Sequence, residues 1–233
     1  MLVDKITLYD LSIFHREEEQ SLFSKIDHTR TNAGKAELKK NFSKPFSDIN
    51  DILQVQEILS FIGSRLDAWP ARITNGTLLV IEKFLDDNPD AIPEQPNPVN
   101  AFLYKWLHPA DHAMIRFSMQ QLFECIKGFE DLHAFFSAFQ RPKMLEDVLQ
   151  QSEKILRNHR LKGLHAVQNF NALSPAEVLG YGRIFHDEMA ADLQTLMGVY
   201  GKLDAWYAMA KSNKLLGLQL PIFTGDAEPL ISA

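Results

Sequence analysis

The chain has 233 residues, enough for one domain or two small ones, and 45% of them are hydrophobic, so it can bury a substantial core. A formal net charge of -6 gives no overall pull toward nucleic acid or anionic membrane, so any contact with DNA must be local. The single cysteine, Cys125, excludes an intramolecular disulfide framework and a cysteine-cluster metal site, and its place among apolar helical residues reads as inert packing.

Residues 1 to 14 carry Leu2, Val3, Ile6, Leu8, Leu11, Ile13 and Phe14 without a clear period, which fits either a short strand or an extended arm. Asp4 and Lys5 interrupt the apolar run a signal peptide would need, and no window approaches the ~20 apolar residues of a membrane span. A soluble, cytoplasmic protein is therefore expected. Glu17, Glu18 and Glu19 suit the first turn of a helix that buries Leu22, Phe23 and Ile26. Asp27 to Thr31 offers several N-cap residues ahead of a helix running to Phe42, and Pro45 stops it. Ser47 is the expected cap of the next helix. Its Ile49, Ile52, Leu53, Val55, Ile58, Leu59 and Ile62 recur at helical spacing up to Gly63.

Beyond Trp69-Pro70 the pattern weakens to a short helix over Thr77 to Leu85, followed by Pro89, Pro93, Pro96 and Pro98, which read as an exposed connector. From Pro109 a long helix is expected. Ile115, Leu122, Phe129 and Phe136 fall seven apart, with Met119 and Ile126 between them, and Pro142 closes the run after Phe139. Leu145, Val148, Leu149, Ile155 and Leu156 mark a shorter amphipathic helix, and 158 to 173 reads as a loop or bent turn. Ser174-Pro175-Ala176-Glu177 is a capping box with proline at the first helical position. The helix it opens extends to about 213, with one irregular step near Met189 and glycines at 180, 182, 198 and 201 that cost ~1 kcal/mol each or mark a bend or close packing. Its length would be about 55–60 Å at ~1.5 Å per residue. The tail from Leu215 to Phe223 is apolar and extended.

Three stretches together resemble the core domain of MutS-family DNA mismatch repair proteins. The first runs through Leu22-Phe23, Asp27, Thr29, Thr31, Ala33-Gly34, Leu38, Lys39-Lys40, Pro45-Phe46, Asp48-Ile49, Ile52 and Gln56-Glu57-Ile58-Leu59. The second is Lys127-Gly128-Phe129-Glu130-Asp131-Leu132 leading to Ser137-Ala138-Phe139, and the third is Leu203-Asp204-Ala205-Trp206-Tyr207-Ala208-Met209-Ala210. They occur in the family's order and cover roughly half the chain. The resemblance implies an all-α fold in which a helical core, residues 1–68, is separated by a proline-rich insertion, 69–112, from a long antiparallel lever pair within 113–213. Residues 214–233 would run into a further domain. It also implies a non-catalytic role, coupling an ATPase domain outside this chain to DNA engagement, with ATP and Mg²⁺ bound there and homodimerisation through it.

The chain departs from the family between 158 and 173, which is too short to hold a DNA clamp between the lever helices. A methionine stands only a few residues before the core, so if Met1 is the native start the family's mismatch-reading domain is expected to be missing as well. No G-x-x-x-x-G-K-[ST] phosphate loop occurs in the sequence. Contacts to DNA phosphate are expected, if anywhere, in the cluster of Lys25, Arg30, Lys35, Lys39, Lys40 and Lys44, where six basic against two acidic residues, Asp27 and Glu37, give a local +4. Of these, Lys35, Lys39, Lys40 and Lys44 are the candidate contacts, the first three on the helix that runs to Phe42 and Lys44 just beyond it. An ordinary solvated helix face is the plainer use of such lysines. Glu130-x-x-His133 has di-iron spacing but no second copy, and His108, His112, His159 and His165 form no ligand pattern. No nucleophile elbow or triad spacing stands out. A free-standing helical interaction module, binding a partner helix along an exposed seam or the apolar tail, is the alternative from a different class.

Overall fold

Thr31 opens the first long helix by accepting the Gly34 amide on its hydroxyl, and every α-helix that follows through residue 107 also begins at a side-chain cap. The computed structural model describes residues 12–14, 21–87 and 92–223, and among them it contains ten α-helices and no strand. These are α1 (Leu22–Ile26), α2 (Asn32–Ser43), α3 (Ile49–Gly63), α4 (Asn75–Asp86) and α5 (Pro98–Leu107), followed by α6 (Pro109–Ser137), α7 (Lys143–Leu156), α8 (Lys162–Ala166), α9 (Pro175–Arg183) and α10 (Ala190–Leu216). The expectations for residues 1–11 and for the Glu17 to Glu19 run lie outside the described residues, as does Pro89 of the connector.

Local sequence accounts for most boundaries. Asp48, and not the expected Ser47, caps α3, its carboxylate accepting from the Asn50 amide at 2.8 Å. The carboxylate also favours the positive end of the helix, an advantage serine lacks. Ser174 and Glu177 form the expected capping box of α9. Gly217, at φ +62°, ends α10 in the left-handed conformation that a side chain would disfavour. In α1 Phe23 is buried but Leu22 is exposed, because this five-residue helix presents one face only.

Most of the core is one large cluster, and a second, smaller one of Phe23, Leu38, Ala205 and Ala208 lies where α1 and α2 meet α10. All six seam residues of α6, from Ile115 to Phe136, are buried, as expected from their spacing. At the C-terminal end of α6 an aromatic group gathers Phe61, Trp69, Phe135, Phe136, Phe139 and Tyr207, with Phe61 stacked on Phe139 at 4.3 Å. The 69–112 stretch is more than a connector. It carries α4 and α5, and Ile81, Phe84, Ala101 and Tyr104 enter the core. Asn97 and Asn100 form a capping box around Pro98, so the last proline of the run starts a helix. Residues 158–173 hold α8 and two 3₁₀ turns.

The long pair differs from expectation in two ways. The segment after Ser174 is divided by a π-helical turn at Ile184–Glu188, where the sequence showed only an irregular step. It also runs parallel to α6, correcting the antiparallel lever. Ile115 lies against Gly182, Phe129 pairs with Tyr200 at 6.4 Å between ring centres, and Phe136 and Tyr207 meet across Trp69. Ascending numbers on one helix therefore match ascending numbers on the other. Nor does α10 project: every residue from Leu203 to Ala208 is buried, because α2, α3 and α7 surround it.

Candidate functional site at the α2–α10 junction

The α2 and α10 helices approach so closely that neither tolerates a side chain at its crossing point. A Cβ on Gly34 would lie 2.1 Å from Asp204 Oδ2, and one on Gly201 would lie 2.9 Å from the Ala33 carbonyl oxygen. Both glycines are explained by that approach. The space is filled by the Asp204 carboxylate, fully buried yet well supplied with donors. Oδ2 accepts from the Thr31 amide at 2.9 Å, the Thr31 hydroxyl at 2.7 Å and the Arg30 amide at 3.0 Å, while Oδ1 also accepts from Arg30 at 3.0 Å. Burial raises the Asp204 pKa above the usual carboxylate range, and the hydrogen bonds from Thr31 and Arg30 oppose that rise. Every contact is with a donor, so the arrangement suits the ionised carboxylate.

Thr31 thus does two jobs, donating its hydroxyl to Asp204 and accepting from the Gly34 amide to cap α2. Asp27 organises the preceding turn, taking the Thr29 amide at 3.2 Å and its hydroxyl at 2.5 Å. Farther along α10, Ser212 donates to the Ile26 carbonyl at 2.7 Å. The first and third resembling stretches therefore meet at one site: Thr31 and Gly34 on one side, Asp204 on the other. Sequence reading placed Asp204 in a motif but gave it no partner, because a contact across 173 residues leaves no local spacing.

The second stretch does a related job elsewhere. A Cβ on Gly128 would come 2.4 Å from Ile73 Cγ1, and the Tyr200 hydroxyl donates to the Ile73 carbonyl at 3.0 Å. Asp131 and Glu124 both pair with Arg72 at 2.9 Å. Lys127 reaches Glu130 at 3.0 Å and the His165 carbonyl at 3.1 Å, and Glu130 Oε1 lies 2.6 Å from His165 Nδ1. His165 Nε2 faces the Leu156 carbonyl at 2.7 Å. Glu130 is thereby held below the usual carboxylate range; burial pushes it up, and the bonds from His165 and Lys127 outweigh that push. Its proposed metal companion, His133, contacts the Ser152 hydroxyl at 3.0 Å. Among the described residues no group of three or more His, Cys, Asp or Glu side chains converges in a way that could hold a metal ion. Buried Cys125 has its thiol pushed up to about 12, which keeps it protonated.

The four candidate phosphate ligands divide into two pairs, three of them on α2 and Lys44 at its C-terminal cap. Lys35 lies 3.5 Å from Asp27, and Lys39 sits over the Phe14 ring. Lys40 pairs with Glu37 at 3.0 Å, and with Lys44 it lines a shallow cleft of about 330 Å³ between α2, α7 and α10. Lys202 and Trp206 close the other side. Lys202 was not a candidate from sequence, being more than 150 residues from the cluster it joins. The three lysines with one paired glutamate give this cleft a net positive charge. No helix among the described residues is long and apolar enough to cross a membrane. No family model, curated protein or solved structure matches the chain.

Proposed function

We propose that this chain is the non-catalytic core of a MutS-like protein, coupling an ATPase domain carried outside these residues to engagement of DNA in mismatch repair or a related transaction. The observation that carries the reading is the α2–α10 junction. Residues chosen for their resemblance to that family, Thr31, Gly34 and Asp204, form one hydrogen-bonded contact between segments remote in sequence. Because α10 is enclosed by α2, α3 and α7, a rotation applied to its C-terminal end moves those helices with it as one body. The core would then transmit motion as a block, without projecting arms. ATP and Mg²⁺ would bind the ATPase domain, which would also pair two copies. Phosphate contact would fall to Lys40 and Lys44 with Lys202, and to Lys35 and Lys39 less directly.

The test is ATP hydrolysis by the full-length gene product with and without duplex DNA. DNA should stimulate hydrolysis, and Asp204→Asn should reduce that stimulation several-fold while leaving the unstimulated rate intact. A gene product that neither binds nor hydrolyses ATP overturns the proposal. A second reading, a helical interaction module, is favoured by one feature, the bare outer face of α5.

A further inference from the structure

We propose that the outer face of α5 docks a second copy of this chain, as a twofold-symmetric pair of antiparallel helices. Val99, Phe102, Leu103, Trp106 and Leu107 are 71, 70, 47, 73 and 61% exposed, on a helix of only ten residues. At about 100° per residue they occupy one arc of about 140°, and the buried Ala101 and Tyr104 lie on the opposite side. Neither burial nor capping explains them. The helix is already anchored through Ala101 and Tyr104, and polar residues on the outer face would serve equally well.

Area argues for a second copy. With aromatic side chains covering ~150–250 Å² and aliphatic ones less, the five residues present roughly 500 Å² of apolar surface. Two such faces remove roughly 1,000 Å² from water, the size at which a specific interface begins. The face is also self-complementary. An antiparallel pair centred between Phe102 and Leu103 sets Val99, the smallest of the five, against Trp106, the largest, and repeats that contact across the axis. Lys105, the charged residue within α5, lies off the arc and stays in solvent. The interface is weak and reversible at this size. It is separate from any pairing through an ATPase domain and does not rest on the function proposed above.

Cross-linking in the full-length gene product tests it. Phe102→Cys stands at the proposed axis and should form a two-chain disulfide on mild oxidation, at least five-fold more than Gln120→Cys on the exposed side of α6. Adding Trp106→Glu to Phe102→Cys should remove the excess while far-ultraviolet circular dichroism stays unchanged. Should that variant lose helicity, Val99→Glu provides the same repulsion with a smaller change. Cross-linking at Phe102→Cys no greater than at Gln120→Cys, or unaffected by a folded Trp106→Glu or Val99→Glu variant, overturns the proposal.

Discussion

Helices α10 and α5 sit at opposite extremes of the same fold. Along its middle, α10 is buried on every side and accommodates neighbours with glycine, alanine and one carboxylate, whereas α5 buries two residues and exposes five large apolar ones. The number of helices packed around each makes the difference. A helix with three neighbours loses its amphipathic pattern, and one with a single covered side keeps a pattern that can face the wrong way. Hydrophobicity thus identifies neither the centre nor the periphery here.

The comparison can be broken most severely at the wall of α10. Phe129 is fully buried against Tyr200, and Phe129→Ala should cost about 4 kcal/mol, visible as a large fall in Tm with loss of near-ultraviolet circular dichroism. An unchanged Tm would mean α10 is not held by α6. Next comes the junction. Asp204→Ala strands the Arg30 and Thr31 amides and the Thr31 hydroxyl, at a cost of about 3 kcal/mol, while Asp204→Asn should lose less because its carbonyl still accepts. Urea denaturation of the two variants checks the order.

A smaller effect is expected at the π turn that leads into α10. His186 Nε2 faces the Asp87 carbonyl and Nδ1 faces Asp187, each at 3.0 Å; the Asp187 bond raises its pKa, and partial burial opposes the rise. A histidine raised in the folded state contributes stability below its ordinary value near 6.5, and loses it as pH climbs through the folded value. His186→Gln should therefore cost more folding stability at pH 5.5 than at pH 8.5, by under about 1 kcal/mol as measured by urea denaturation. An equal loss at both pH values would show that the charge contributes nothing. Smallest of all, Trp106→Ser on α5 should shift the stability of the isolated copy by no more than about 0.5 kcal/mol, as measured by urea denaturation in dilute solution. A loss above about 2 kcal/mol would show that Trp106 packs within its own chain.

The all-α fold was legible because proline, capping residues and three- and four-residue spacing are local signals, and Ser174 to Glu177 and Ile115 to Phe136 read directly into structure. Partnership was not legible. Periodicity says that a face is buried without saying against what, so the course of α9 and α10 along α6 could be mistaken for antiparallel. In the 88–98 run, four prolines outweighed the Asn97 to Asn100 cap that starts α5. For the candidate site, Thr31 and Gly34 were visible as a motif, but the carboxylate filling the gap beside them came from the other end of the chain. The lysines of α2 were visible too, yet their division into two pairs depends on Asp27 and Glu37, and Lys202 joined them only through folding.

The π turn at Ile184–Glu188 acts as a phase shifter. A wider turn accommodates one residue beyond the α-helical count, so everything after it is rotated by roughly a quarter revolution relative to a straight continuation. A single run of sequence can then aim one side at α5 and α6 before the turn and another at α2, α3 and α7 after it. Deleting one residue there would give a smoother rod whose second half presents Asp204 to the wrong neighbour. In this molecule, straightening a helix would undo the fold.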